Sequence, residues 1–269
     1  VRLLNRLRSP EQLIIFPNTN SGYGSGPTDG YCTEDTPLTP ISVYARTKAD
    51  AERELLDYPS VITLRLATVF GMSPRMRLDL LVNHFTYEAV TSGYIVIYEK
   101  DFKRNYIHIR DVADCYIHCI EHAGAMVGRP YNAGLNDANL SKEELAVKIQ
   151  EYVPNFYLHF SEIGSDPDKR NYIVSNQRLR EAGFEAQRTL DDGIKELLES
   201  WDSSFPSPGL KESAGPVCYA HQEGYDGTVW EDGYDGRLSA HNTLEWVKRA
   251  LRELDAPTAG IEAVVIPRS

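Results

Sequence analysis

Short apolar runs alternate with longer amphipathic segments through the first two hundred residues of this chain. The apolar run at 13–16 predicts a strand, and the Gly/Pro-rich polar stretch 18–40 after it predicts a loop able to fold over a ligand. Ser42 stands at an N-cap position ahead of a helix that reaches residue 57. Residues 61–69 are rich in β-branched side chains and predict a second strand. Helices are predicted over 78–91 and 112–123, with a strand at 94–98 between them. A helix over 141–152 opens with a capping box, Ser141 and, three residues on, Glu144. A strand at 157–160 and an amphipathic helix over 190–201 complete the series. Strands alternating with helices imply an α/β protein with a parallel sheet and a smaller C-terminal lobe.

The two ends differ from this body. Residues 1–8 carry Arg2, Arg6 and Arg8 among leucines, and Leu3, Leu4 and Leu7 form an apolar stripe. No apolar h-region with a cleavage site follows, so the expectation is an amphipathic helix feeding the first strand rather than a targeting peptide. Residues 1–201 read as one core, and the Ser/Pro/Gly-rich residues 202–215 as a linker. Within 216–269, Gly224-Tyr225-Asp226-Gly227 recurs nine residues later as Gly233-Tyr234-Asp235-Gly236. These read as paired Asp-Gly turns, since the spacing fits no EF-hand. A helix over 242–254, with Leu244, Val247, Leu251 and Leu254 on one face, and an edge strand at 261–266 follow. No function attaches to this segment.

Composition narrows the class. The chain of 269 residues, 42% hydrophobic and 25% charged, is long enough to bury a core. A net charge of −11 with no basic run argues against a nucleic-acid partner, so any anionic ligand must be met by local arginines. No apolar stretch approaches the ~20 residues that span a bilayer. Cys32, Cys115, Cys119 and Cys218 make no metal pattern and read as free thiols in a reducing compartment, the cytoplasm.

Candidate chemistry centres on Tyr44 and Lys48. Residues four apart share one face of a helix, so a phenol and an ammonium enter the same space. A free tyrosine titrates near pH ~10, and a fixed cation beside it favours the phenolate. Thr19, at the end of the preceding strand, would add a hydroxyl and complete a site for moving a proton on and off a sugar or alcohol oxygen.

Five segments in register resemble the extended short-chain dehydrogenase/reductases, the nucleotide-sugar epimerases and dehydratases. They are FPNTNSGYG at 16–24, the Tyr44/Lys48 pair, RLATVFG at 65–71, RNYIHIRDVA at 104–113, and Tyr131-Asn132-Ala133-Gly134. The resemblance covers about residues 3–201 and implies a Rossmann-type sheet, bound NAD and a nucleotide-sugar substrate. It makes Tyr44 the general base, with Thr19 steadying the developing alkoxide and Lys48 holding the nicotinamide ribose. It places Pro17 and Ala67 against the cofactor and Thr68 near the sugar. Arg104 matches an arginine that pairs with the nucleotide diphosphate, and Arg170 lies near the place of a second. Arg75 and Arg77 could meet a phosphate or only solvent. His108 and Asp111 are expected to cap and pack the following helix. The family's helices at 1–8 and around Tyr44 pack against their copies, which implies a homodimer.

Two departures matter. The family's opening Gly-x-x-Gly-x-x-Gly turn, which brings a pyrophosphate to a helix N-terminus, is absent, so the chain is expected to lack the first half of the sheet. The 4,6-dehydratases carry Thr-Asp-Glu where this chain has Thr19-Asn20-Ser21. An amide and a serine cannot replace an acid/base carboxyl pair, which disfavours dehydration. Oxidation at C4, as in the bacterial GDP-heptose 4-dehydrogenases that 72–83 and 166–176 most resemble, and 4-epimerisation both remain. So does a silent sugar-nucleotide binder or scaffold.

Overall fold

A computed structural model describes residues 12–202 apart from 28–29, 74–75, 165 and 167. The expectations for 1–8, Arg75, Cys218 and the segments beyond 202 lie outside the described residues. β1 (Ile14–Thr19) runs three residues past the predicted end, because Pro17-Asn18-Thr19 stays paired in register with β2 (Val61–Leu66). A proline without an N–H fits there because β1 bonds only β2 among the described residues. On the other side β2 pairs with β6 (Arg129–Ala133), and the order β1-β2-β6 is parallel throughout.

The strand predicted over 61–69 is two strands. β2 stops at Leu66, and β3 (Thr68–Phe70) turns away to pair in parallel with β5 (Lys103–His108). Ala67 bridges the break, its N–H still bonding Ala133 O at 2.9 Å. At the same level Gly134 lets Asn105 come close. A Cβ there would sit 1.6 Å from Asn105 Oδ1, while the Asn105 amide donates to Leu135 O at 2.7 Å. β7 (Asn139–Ser141) closes this second sheet antiparallel to β5.

Each face of the first sheet takes a helix. α1 (Val43–Leu56) packs on β1, β2 and the 3-10 turn Asn20–Tyr23. α2 (Leu81–Thr91) starts three residues later than predicted, because the Asn83 amide bonds Arg77 O and Gly71 N–H and holds the preceding chain in a turn. β4 (Tyr94–Ile97) follows it. α3 (Ile109–Glu121) starts three residues earlier than expected, since the His108 ring accepts from Arg110 N–H. Val112, Cys115, Tyr116 and Cys119 of α3 join Ile62 and Leu64 in one apolar cluster. The short α4 (Ala123–Met126) leads to β6.

A second lobe is assembled from interleaved segments. α5 (Lys142–Tyr152) begins at the predicted capping box, with Glu144 N–H to Ser141 Oγ at 3.1 Å and Ser141 N–H to Glu144 Oε2 at 2.7 Å. β8 (Tyr157–Phe160) pairs in parallel with β4. After the unpredicted α6 (Gln177–Glu181), α7 (Leu190–Asp202) lays Ile194 and Leu197 against Val82, Phe85, Leu145 and Ile149. Gly193 permits that approach, for a Cβ there would lie 2.1 Å from the Phe70 ring.

The stretch 18–40 is not a free flap. Gly26 N–H and Cys32 N–H bond the carbonyls of Asn171 and Ile173, both at 2.8 Å, and Ser175 N–H returns to Cys32 O. Cys32, Cys115 and Cys119 are buried free thiols. Among the described residues no helix is long and apolar enough to cross a membrane.

Candidate functional site

Parallel strands end at a common edge, where Thr19 of β1 stands beside Leu66 of β2. Ser42 Oγ accepts Ala45 N–H at 3.1 Å and starts α1, which places Tyr44 in its first turn with 51% of its surface exposed. One turn on, the Lys48 ammonium donates to Pro17 O at 2.7 Å and stands 4.7 Å from the centre of the Phe16 ring. Burial disfavours its charged form and lowers its pKa to about 8. Thr19 caps the 3-10 turn. Its Oγ1 accepts Ser21 N–H at 3.1 Å and donates to Ser21 Oγ at 3.0 Å. Thr19 is paired with Leu66, so Ala67 and Thr68 extend from the neighbouring strand at the same edge.

Arg104 and Arg170 are brought together by Asp168, which sequence reasoning did not single out. Arg104 is 2% exposed. It donates to the carbonyls of Lys103 and Arg170, lies against the Tyr172 ring, and has Nη2 3.0 Å from Asp168 Oδ2, off the hydrogen-bond axis. Arg170 donates through Nε to Asp168 Oδ1 at 2.6 Å and through Nη1 to Ser21 Oγ. Burial would raise the Asp168 pKa, but the Arg170 hydrogen bonds and the charges of Arg170 and Arg104 hold it well below the usual carboxylate range. Arg77 instead pairs with Asp79 ahead of α2, at 2.5 and 3.0 Å. His108 and Asp111 cap and pack as expected. His108 Nε2 meets Glu196 at 2.7 Å, and Asp111 accepts the backbone N–H of Gln187 and Arg188.

Beneath the pair lies a buried polar layer that sequence reasoning missed. Glu52 accepts from Asn18, Thr63 and Arg65, while Arg65 also donates to Tyr23 Oη at 2.9 Å. The available signal was spacing: Tyr44, Lys48 and Glu52 recur every four residues. Asn20, 1% exposed, makes no side-chain hydrogen bond with the protein. Two crevices of about 270 and 150 Å³ lie between the β6–β7 connection and residues 176–191, and neither touches Tyr44, Lys48 or Thr19.

A parallel sheet flanked by helices, with a tyrosine–lysine pair at its carboxyl edge, defines a Rossmann-type enzyme class. Residues 1–134 match the model of the NAD dependent epimerase/dehydratase family, and the chain belongs to that family. It is 29% identical over 180 residues to the low-salt glycan biosynthesis protein Agl12 of Haloferax volcanii, covering 64% of this chain and 56% of that protein. It is 26% identical over 207 residues to UDP-arabinose 4-epimerase 1 of Arabidopsis thaliana, covering 63% and 49%. The chain therefore spans about half the length of these curated relatives. Among solved structures, the NAD complex of a dTDP-glucose 4,6-dehydratase from Bacillus anthracis superposes with a TM-score of 0.63 at 22% identity, covering 77% of this chain and 66% of that one. The NAD complex of UDP-glucose 4-epimerase from Thermus thermophilus gives 0.61 at 19%, covering 72% and 65%.

Proposed function

We propose that this chain carries the proton-transfer and sugar-binding half of an NAD-dependent oxidoreductase acting at C4 of a nucleotide-activated sugar, with a GDP-heptose as the substrate. The observation that carries the proposal is the seating of Lys48 on Pro17 O one helical turn from Tyr44. The donor set fits a nicotinamide ribose: an ammonium has three hydrogens, and the Pro17 carbonyl takes one. NAD, when bound, supplies the hydride acceptor. Tyr44 takes the C4 hydroxyl proton, and the Lys48 charge favours the phenolate that does so. Thr19 steadies the alkoxide, while Pro17 and Ala67 line the cofactor side and Thr68 the sugar side. Arg104 and Arg170 take the diphosphate in place of the Asp168 carboxylate, a charge-assisted exchange suited to guanidinium geometry. Arg77 is the outermost candidate, reaching a phosphate only by leaving Asp79.

Asn20 and Ser21 support oxidation without elimination, since neither can act as the general acid or base at neutral pH. A second outcome is 4-epimerisation, favoured by the likeness to proteins named UDP-arabinose and UDP-glucose 4-epimerases. The likeness to a glycan biosynthesis protein supports a role in making surface polysaccharides. The proposal includes cytoplasmic location and a homodimer built through α1. Full-length protein incubated with NAD and GDP-heptose, GDP-mannose or UDP-glucose, followed by NMR of the products, tests this. A 4-keto sugar with stoichiometric NADH is expected, and a C4 epimer without net NADH would establish the epimerase instead. Full oxidation activity in Tyr44→Phe would overturn both.

A further inference from the structure

Tyr44, Lys48 and Glu52 follow one another at intervals of four along α1, so they share the face laid against β1 and β2. The sheet surface beneath them changes character along its length. At its start Phe16 and Val61 meet Leu55 in an apolar contact. Toward its carboxyl edge the same surface presents Asn18, Thr63 and Arg65, and all three donate to the one Glu52 carboxylate. Asn18 Nδ2 lies 2.7 Å and Thr63 Oγ1 2.9 Å from Oε2, while Arg65 Nη2 lies 2.7 Å and Nε 3.1 Å from Oε1. Each of the four residues is at most 5% exposed. Asn18 stands between Pro17, where Lys48 is anchored, and Thr19.

An apolar helix face of similar volume would hold α1 to the sheet at comparable or greater stability, since buried ion pairs are often replaceable on that score. It would not fix where the helix stops along the strand. Apolar contacts are non-directional, and a slide of a few tenths of an ångström costs them little. A carboxylate that must meet three donors on two strands admits one position. Ala45 and Ala49, both buried, bring the helix close enough for these bonds to form. Arg65 extends the constraint, bonding Tyr23 Oη at 2.9 Å and Glu34 O at 3.1 Å, while the Tyr23 hydroxyl donates to Asn132 Oδ1 at 2.7 Å. The 3-10 turn carrying Thr19 and Ser21 is thereby tied to the same point.

We infer that Glu52 is a positioning residue: by holding Asn18, Thr63 and Arg65 together it sets the register of α1 on β1, and so the place of Lys48 and Tyr44 relative to Thr19. The catalytic part of this inference rests on the proposed function above; the structural part does not. The placement is read from Lys48 itself.

The experiment follows the Lys48 titration by NMR of the full chain labelled with ¹³C,¹⁵N-lysine, the signal assigned by its absence from Lys48→Arg. In the wild type the midpoint is expected at about 8. In Glu52→Gln, Lys48 loses its seat on Pro17 O and the midpoint moves toward the ordinary ~10.4. Glu52→Gln strands the Arg65 charge, so the double variant Glu52→Leu/Arg65→Met, free of buried charge, separates folding from placement. Its melting temperature should stay near that of the wild type while Lys48 still titrates as a free amine. Asn18→Leu, which keeps the ion pair, should give the same shift in smaller degree. On turnover, the double variant should lose roughly 100-fold in kcat with little change in KM, the cost of an ångström-scale misplacement. A folded double variant with Lys48 still near its wild-type midpoint overturns the inference, as does a wild-type Lys48 with an ordinary midpoint. Activity surviving in Tyr44→Phe would remove the proposed function alone, leaving the Lys48 titration to judge Glu52.

Discussion

The two faces of the β1–β2–β6 sheet are covered by helices of similar length but opposite chemistry. Under α3, Ile62 and Leu64 meet Val112, Cys115, Tyr116 and Cys119 in apolar packing. Under α1, Asn18, Thr63 and Arg65 meet Glu52 through bonds that each require one geometry. Dispersion and burial give the α3 face its free energy, and many sequences of equal volume would do as well. The α1 face gives up some of that free energy and gains placement. The side that gains it is the side that bears Tyr44 and Lys48.

Breaking the polar face from its other end should have the largest effect on stability. Arg65→Met leaves the buried Glu52 carboxyl without its strongest partner and deprives Tyr23 of a donor, which should cost about 4 kcal/mol in denaturant unfolding. Leu64→Ala, on the opposite face of the same strand, should cost about 3 kcal/mol through transfer and cavity effects. The two costs are close, and the comparison lies elsewhere. The Lys48 titration should move in folded Arg65→Met and stay in place in Leu64→Ala. Equal behaviour of the two variants in that measurement would erase the distinction between the faces.

That distinction was only partly legible in the sequence. Local signals found the helix carrying Tyr44 and Lys48, the capping box at Ser141 and the strands at 94–98 and 157–160, because each is encoded by neighbouring residues. They missed the extension of β1 through Pro17-Asn18-Thr19, where turn-forming residues are held extended by register with Leu64, Arg65 and Leu66. They joined β2 to β3 because 61–69 is rich in β-branched residues, while the break at Ala67 depends on distant Asn105 and Gly134. The resemblance singled out Thr19, Tyr44, Lys48, Ala67 and Thr68. It gave no hint that Arg104 would be held by Asp168, a pairing set by the long return of the chain from β8. Charged residues read as surface until their partners are known, and for Glu52 those partners lie 11 to 34 residues away.

A pH titration sharpens the contrast at intermediate cost. Lys48 has a folded pKa of about 8, below its unfolded value, because burial disfavours its charge. Above pH ~8 the folded state gives up this proton while the unfolded state keeps it to ~10.4, so stability should rise with pH across that window. The gain should be about 1–2 kcal/mol once partial solvent access is allowed for. Lys48→Met should flatten the slope, and it should raise stability at neutral pH, where the wild type carries a charge that burial disfavours. An identical slope in the two proteins would show that Lys48 is solvated in the folded state.

The smallest expected effect serves as the control on the other three. Ser141 caps α5 in the second lobe, where its hydroxyl accepts Glu144 N–H and its own N–H is taken by the Glu144 carboxylate. Ser141→Ala leaves one helix N–H without its acceptor at a partly buried end and should cost about 1 kcal/mol. Nothing in the capping box touches either face of the first sheet, so the loss is local to α5 and to the antiparallel pairing of Lys103 with Ser141. The Lys48 midpoint and the slope of stability between pH ~8 and ~10 should therefore match the wild type. A change in either would mean that lowered stability alone disturbs Lys48, and the shift in Arg65→Met would then carry no information about register.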